Sequence, residues 1–288
     1  MKVDIADLRR KRIEDPDAIT RAASERAPSS PGSRLMLIAA DHPARGSIAA
    51  RGRATAMADR GDLLERLVEA LAQPGVDGVL GTADILEDLL LLGALDGKVV
   101  FGSMNRGGLA GAVFELDDRF TAYDGRTLSS MGFDGGKMLV RIALDEPETA
   151  DTLESAAGAV NELAEFGLKE MVKPFMSERR EERLTNILTT DAVIKSVVIA
   201  SGLGATSRHT WLKLPVVDEM ERVMTATTLP TLLLGGDPKE SDDAIYQKWA
   251  DALALPGVQG LVVGRALLYP NDDDVTAAVE VATKLVHG

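Results

Sequence analysis

The chain has 288 residues, 45% of them hydrophobic and 27% charged, with a formal net charge of −13 and no cysteine. This balance is ordinary for a globular protein and excludes disordered and collagen-like classes, while the acidic excess argues against a nucleic-acid surface, which needs clustered Lys and Arg. No disulfide framework, thiolate nucleophile or Cys-ligated metal is available, so the cytoplasm is the expected compartment, and no apolar run approaches the roughly 20 residues that span a bilayer.

Residues 1–33 are charged and lack the apolar core of a secretory signal. They predict one or two polar helices ending in the Pro/Ser/Gly linker Ala27 to Ser33, an extension outside the main fold and a candidate subunit contact in a homo-oligomer. From Arg34 onward short apolar runs alternate with amphipathic ones. "RLMLIAADH" (34–42) reads as a strand and "GDLLERLVEALAQ" (61–73) as a helix. "DGVLGT" (77–82) precedes the helical "DILEDLLLLGAL" (84–95), and "KVVFGSMN" (98–105) precedes a long irregular segment. "KMLVRIAL" (137–144) is followed by a helix over 150–167, and "KEMVKPFM" (169–176) by a long helix within Arg180 to Ser201. "TWLKLP" (210–215), "LPTLLLGG" (229–236) and "VQGLVVGRAL" (258–267) complete the strands, each with a helix after it.

Apolar runs alternating with helices imply parallel βαβ units whose strands are covered on both faces. Eight such units over residues 34–288 fit an α/β fold of the (β/α)8 TIM-barrel type, which takes ~250 residues. A doubly wound open sheet is the alternative. It calls for a phosphate fingerprint after the first strand, and "DHPARGS" is not GxGxxG.

A barrel gathers its chemistry at the C-terminal ends of its strands. The groups expected there are Asp41 and His42, Asn105 and Arg106, Arg141, Lys173, Lys213, Gly235 and Gly236, and Gly264 and Arg265. Lys137, Lys173 and Lys213 lie inside apolar strands, where a charged ammonium is costly unless it is paired, snorkels to water or becomes neutral. A lone lysine of this kind is usually a snorkelling one. Three on successive strands suggest instead that clustered cations and a dry pocket hold an amine neutral, the form needed for a Schiff base. Lys213 is then the nucleophile and the other two tune it. Asp41 either caps a turn or does acid/base work, and His42 alternates to the other face. Gly235 and Gly236 after the seventh strand, with Gly264 and Arg265 after the eighth, stand where many barrels bind phosphate. The three histidines show no metal-ligand spacing, so no metal is expected, and Asp272 to Asp274 read as the cap of the last helix.

Taken together, "LIAADHPARG", "GGKMLVRI", "KPFM", "WLKLP", "LLLGGDP" and "GLVVGRALL", in this order and spacing, resemble the class I aldolase superfamily that includes deoxyribose-phosphate, tagatose-bisphosphate and archaeal-type fructose-bisphosphate aldolases. The resemblance covers Arg34 to the C-terminus. It implies a cofactor-independent carbon–carbon lyase with Lys213 as Schiff-base lysine, Asp41 as the first-strand aspartate, Lys137 as the fourth-strand lysine, and Gly235, Gly236, Gly264 and Arg265 as the phosphate turns, with Arg141 among the substrate contacts. The tagatose branch carries a glutamate where this chain has Lys173, and the archaeal type's fifth-strand tyrosine is missing, so the proton-shuttling group departs from the pattern. Similarity to a branch associated with inositol breakdown implies 6-phospho-5-dehydro-2-deoxygluconate as a candidate substrate. A sugar-phosphate-binding barrel without catalysis and a metal-dependent or isomerising barrel are the competing readings.

Overall fold

The computed structural model describes residues 2–105, 108–180, 183–235 and 241–288. Nine strands run β1 (Leu35–Ala39), β2 (Gly78–Gly81), β3 (Val99–Ser103), β4 (Gly135–Ile142), β5 (Lys169–Arg180), β6 (Arg183–Asn186), β7 (Thr210–Pro215), β8 (Thr231–Leu234) and β9 (Val258–Val263) among the described residues. All but β6 pair in parallel around a closed ring, β1-β2-β3-β4-β5-β7-β8-β9, with β9 returning to β1 through Leu35↔Gly260 and Ile38↔Val263. The fold is the expected (β/α)8 barrel with a helical extension at its N-terminus.

The strand alternation sorts residues into two cores. Leu35, Leu37, Ala39, Leu80, Val99, Phe101, Met171, Leu232 and Val262 fill the barrel interior. Residues of opposite parity, such as Met36, Ile38, Val79, Val100, Met138, Val140, Val172, Leu212 and Leu214, face the helices. Each large apolar side chain so buried stabilises by roughly 1.5–3 kcal/mol.

The helices that cover the strands are α3 (Arg60–Leu71), α4 (Ala83–Leu91), α5 (Gly125–Ser130), α6 (Glu148–Glu165), α7 (Thr190–Ser201), α8 (Met220–Met224), α9 (Asp242–Leu253), α10 (Arg265–Leu268) and α11 (Val275–His287). Many start on a side-chain cap: Asp59 accepts from the Asp62 N–H at 3.0 Å, Asp124 from Thr127 at 2.7 Å and Asp274 from Ala277 at 2.9 Å. Asp274 thus caps the last helix as its sequence suggested. No helix among the described residues is long and apolar enough to cross a membrane.

The stretch after the fifth barrel strand differs from the helix expected there. β5 continues to Arg180 and turns back antiparallel into β6, pairing Ser177↔Asn186 and Arg180↔Arg183, and α7 begins only at Thr190. The charged run has helix-compatible composition, but helix propensity is a weak bias that tertiary pairing overrides.

Before the barrel, α1 (Ile5–Glu14) and α2 (Ala18–Glu25) lie against it rather than apart from it. Leu8 and Ala23 join the outer core. Arg12 reaches Glu87 at 2.9 Å and buried Asp88 at 2.8 Å on α4, and Arg26 donates to the carbonyls of Leu95, Lys98 and Gly132.

Candidate active site

The C-terminal mouth of the barrel opens on a cavity of about 550 Å³. It sits above the apolar interior because the inward parity of each strand changes chemistry at one level. β4 turns Lys137, Leu139 and Arg141 toward it, β5 Lys173 and Phe175, β7 Lys213 and Pro215, and β1 leads into Asp41. Leu139, Phe175 and Leu234 form a small apolar cluster nearer the mouth. Charged and apolar side chains thus interleave at the same levels, Lys137 beside Met171 and Lys173 beside Leu139.

Asp41 and Lys137 form a buried ion pair, Nζ to Oδ2 2.7 Å. Burial alone raises a carboxyl's pKa, but Lys137, with His42, Lys213 and the hydrogen bond from Lys137, holds Asp41 well below the usual range. Lys213 is only 3% exposed and makes no hydrogen bond or ion pair among the described residues. Burial lowers its amine to about 7, Asp41 opposing that shift and Lys137 adding to it. Lys173, partly open to the cavity, is pushed well below the ordinary lysine range by burial and then by the charges of Lys213 and Lys137. A neutral amine and an ionised carboxylate thus coexist in one layer.

Register shows how close the lysines are. Val172 pairs with Leu212 across β5 and β7, so Lys173 and Lys213, the next residues, stand level on neighbouring strands, which run about 4.8 Å apart. Lys137 pairs with Met171 and so lies one layer below Lys173.

Arg141 lines the cavity, but its guanidinium is engaged. Nε donates to Asp118 Oδ2 at 2.8 Å, Nη2 to Asp118 Oδ1 at 2.7 Å and to the Glu115 carbonyl, and Nη1 lies 3.4 Å from the Glu115 carboxylate. Arg45 reaches the same Asp118 at 3.2 Å, and burial, then the charge of Arg141, lowers its pKa. Asp118 is 0% exposed. Two arginines therefore clamp the segment after β3 across the mouth. Nothing in the periodicity of that segment marked Glu115 or Asp118, and Arg45 sat unremarked in "DHPARG".

Asn105 also has a structural task. Its side chain accepts from the Leu139 N–H at 2.7 Å and donates to the Leu139 carbonyl, tying the end of β3 to β4. His42 lines the cavity, contrary to the alternation expected of it. β1 ends at Ala39 and His42 has helical dihedrals, φ −68° and ψ −44°, at the start of the 3-10 turn Pro43–Arg45, so strand parity no longer applies. Its Nδ1 is buried without a hydrogen-bond partner among the described residues, and burial lowers its pKa to about 3 against the pull of Asp41.

Gly235, Gly264 and Arg265 line the cavity beside Lys248 of α9. Gly236 and Arg106 lie outside the described residues. A Cβ on Gly264 would stand 2.2 Å from the Ala39 carbonyl, and one on Gly235 2.5 Å from Val263, so close packing of neighbouring strands already requires both glycines. With Arg45, Lys137, Arg141, Lys173, Lys213, Lys248 and Arg265 against Asp41 and Glu115, the titratable lining is mostly cationic. In a chain of net charge −13, this is a local basic pocket that concentrates anions.

Among solved structures, Cgl0159 from Corynebacterium glutamicum is 54% identical, with a TM-score of 0.95 over 98% of this chain and 96% of that one. An archaeal fructose-1,6-bisphosphate aldolase, with its catalytic Lys covalently bound to the carbinolamine intermediate of the substrate, is 17% identical, with a TM-score of 0.67 over 94% and 100%. Fructose-bisphosphate aldolase from Slackia heliotrinireducens is 17% identical, with a TM-score of 0.63 over 99% and 94%. No curated protein matches. The likeness to the two aldolases is one of fold, a (β/α)8 barrel. The family profile described as Cgl0159-like matches residues 33–283, nearly all of the chain from the first barrel strand onward, and the chain belongs to that family.

Proposed function

We propose that the protein is a Schiff-base-forming class I aldolase acting on a phosphorylated sugar or sugar acid. The observation that carries this reading is Lys213: a buried lysine, paired with no carboxylate, at the floor of a basic cavity and with its amine lowered to about 7. A neutral amine adds to a carbonyl carbon, and uptake of a proton from solvent by the carbinolamine oxygen with loss of water leaves an iminium. The iminium withdraws electrons from the neighbouring carbon–carbon bond, which breaks to an enamine and an aldehyde. Lys137 is paired with Asp41 at 2.7 Å, and its remaining N–H groups can bind substrate oxygens. The cationic rim, with the backbone at Gly235 and Gly264, supports a phosphate there. A phosphorylated sugar acid such as 6-phospho-5-dehydro-2-deoxygluconate suits a cavity with basic groups on both sides.

The test is intact-mass spectrometry and peptide mapping after borohydride reduction with dihydroxyacetone phosphate and a panel of phosphorylated sugars. A stable adduct on Lys213, absent from Lys213→Met, is the expected result. A ligand that binds saturably yet leaves no adduct would assign the barrel to binding without this chemistry.

A further inference from the structure

Carbon–carbon cleavage through an iminium needs a group that takes the proton of the substrate's β-hydroxyl and later returns one to the enamine carbon. Few groups carried on the strands can do so. Asp41 is ion-paired with Lys137 and held well below the usual carboxylate range, which leaves it a weak base. Lys213 is consumed as the iminium. His42, with its amine-poor ring lowered to about 3, is a hydrogen-bond group rather than a proton acceptor near neutral pH. Glu115 faces Arg141 at 3.4 Å.

Lys173 differs from all of these. It lines the cavity and stands level with Lys213 on the neighbouring strand. It makes no ion pair among the described residues. Its Nζ lies 5.2 Å from the ring centroid of Phe175, the next inward residue toward the mouth, so the side chain rises from the strand toward the space a substrate on Lys213 would occupy. Burial and the neighbouring cations push its amine well below the ordinary lysine range.

Resting on the aldolase reading, we propose that Lys173 is the proton-transfer residue of the reaction, working as a neutral amine beside the iminium on Lys213. In cleavage, the Lys173 lone pair takes the β-hydroxyl proton. The O–H electrons form the carbonyl of the departing aldehyde, the carbon–carbon bond breaks, and its pair forms the enamine while the iminium nitrogen is neutralised. The Lys173 ammonium then delivers that proton to the enamine carbon, becoming the amine again and restoring the iminium, and water releases the ketone and the Lys213 amine with loss of one proton to solvent. One group makes both transfers and ends as it began.

The experiment separates this assignment from the aldolase reading. Wild type, Lys173→Met and Lys173→Arg are each incubated in D2O with dihydroxyacetone phosphate, hydroxyacetone or pyruvate. Exchange of the proton α to the carbonyl is measured by NMR and normalised to the borohydride-trapped adduct on Lys213. Both variants are expected to retain the adduct and to lose about 100-fold or more of the exchange per adduct, the range of a general base. If Lys173 acted only by its charge on Lys213, Lys173→Arg would keep wild-type exchange, and the assignment is overturned. An adduct mapped to Lys173 itself overturns it too. If wild type forms no adduct with any of the three carbonyl compounds, the Schiff-base reading fails and takes this proposal with it.

Discussion

A lysine in the wall of a barrel can keep its proton only at the expense of hydration, and for Lys213 the charge of Asp41 offsets that loss only in part. Its amine falls to about 7, whereas in the unfolded chain it titrates near ~10.4. The nucleophilic, neutral form therefore grows as pH rises through 7, and the initial rate of borohydride-trappable adduct formation should climb over that range and level off above it. Stability carries the same signature. Between pH 7 and the ordinary lysine value the unfolded chain binds more protons at this site than the folded one, so the site's contribution to stability rises with pH across that window. Lys213→Met should accordingly raise the midpoint of thermal unfolding most below pH 7, and the gain should shrink as pH increases. A gain that is flat across pH 6 to 10 would mean that the folded-state amine titrates normally. At this scale the sequence was informative: a lysine flanked by apolar residues in "WLKLP" is conspicuous without coordinates. That Lys137 would be claimed by Asp41, 96 residues away, was not visible, because strand closure selects the partner.

At the scale of elements, regular segments were legible and irregular ones were not. Strand parity and helix caps leave local marks, so the expected barrel strands lie close to their observed places. The helix expected within Arg180 to Ser201 is present as α7 from Thr190, but β6 takes the first part of that span, because its charged residues suit either state and only cross-strand pairing decides. The segment after β3 has no period at all. Its position depends on Asp118, which accepts from Arg141 at 2.7 Å and Arg45 at 3.2 Å while fully buried. Removing such a carboxylate leaves Arg45 without an ion-pair partner among the described residues and Arg141 with only the Glu115 contacts, a loss of roughly 3 kcal/mol. Asp118→Ala should lower stability by about that much, and trypsin should cut after the neighbouring exposed Arg119 many-fold faster. Denaturant unfolding and timed digestion measure the two effects. Unchanged digestion would show that other contacts hold the segment.

Across the whole molecule acidic groups outnumber basic ones, while the cavity at one end of the barrel is lined by more basic than acidic side chains. The N-terminal helices contribute at this scale too. Leu8 and Ala23 cover apolar surface of the helical layer, Arg12 neutralises buried Asp88, and Arg26 ties three carbonyls at the opposite end of the strands from the cavity. Deleting residues 2–26 should lower the thermal midpoint by several degrees, since it exposes that surface and leaves Asp88 only the 3.5 Å contact with Arg60. The pH dependence of the Lys213 adduct should be unchanged, because none of these contacts reaches the cavity. A shifted profile would connect the extension to the site.

The amino-acid sequence by itself determined the eightfold alternation, the parity that turns three lysines inward and the glycines that let neighbouring strands approach, because each depends on residues near one another along the chain. Tertiary structure decided the rest. Closure of the barrel put Lys173 level with Lys213 and Lys137 against Asp41, and the fold of an aperiodic segment gave Arg141 to Asp118. Such pairings depend on register and proximity across tens of residues, and desolvation in the assembled cavity, rather than residue type, makes one lysine an ion-pair partner and its neighbours neutral amines.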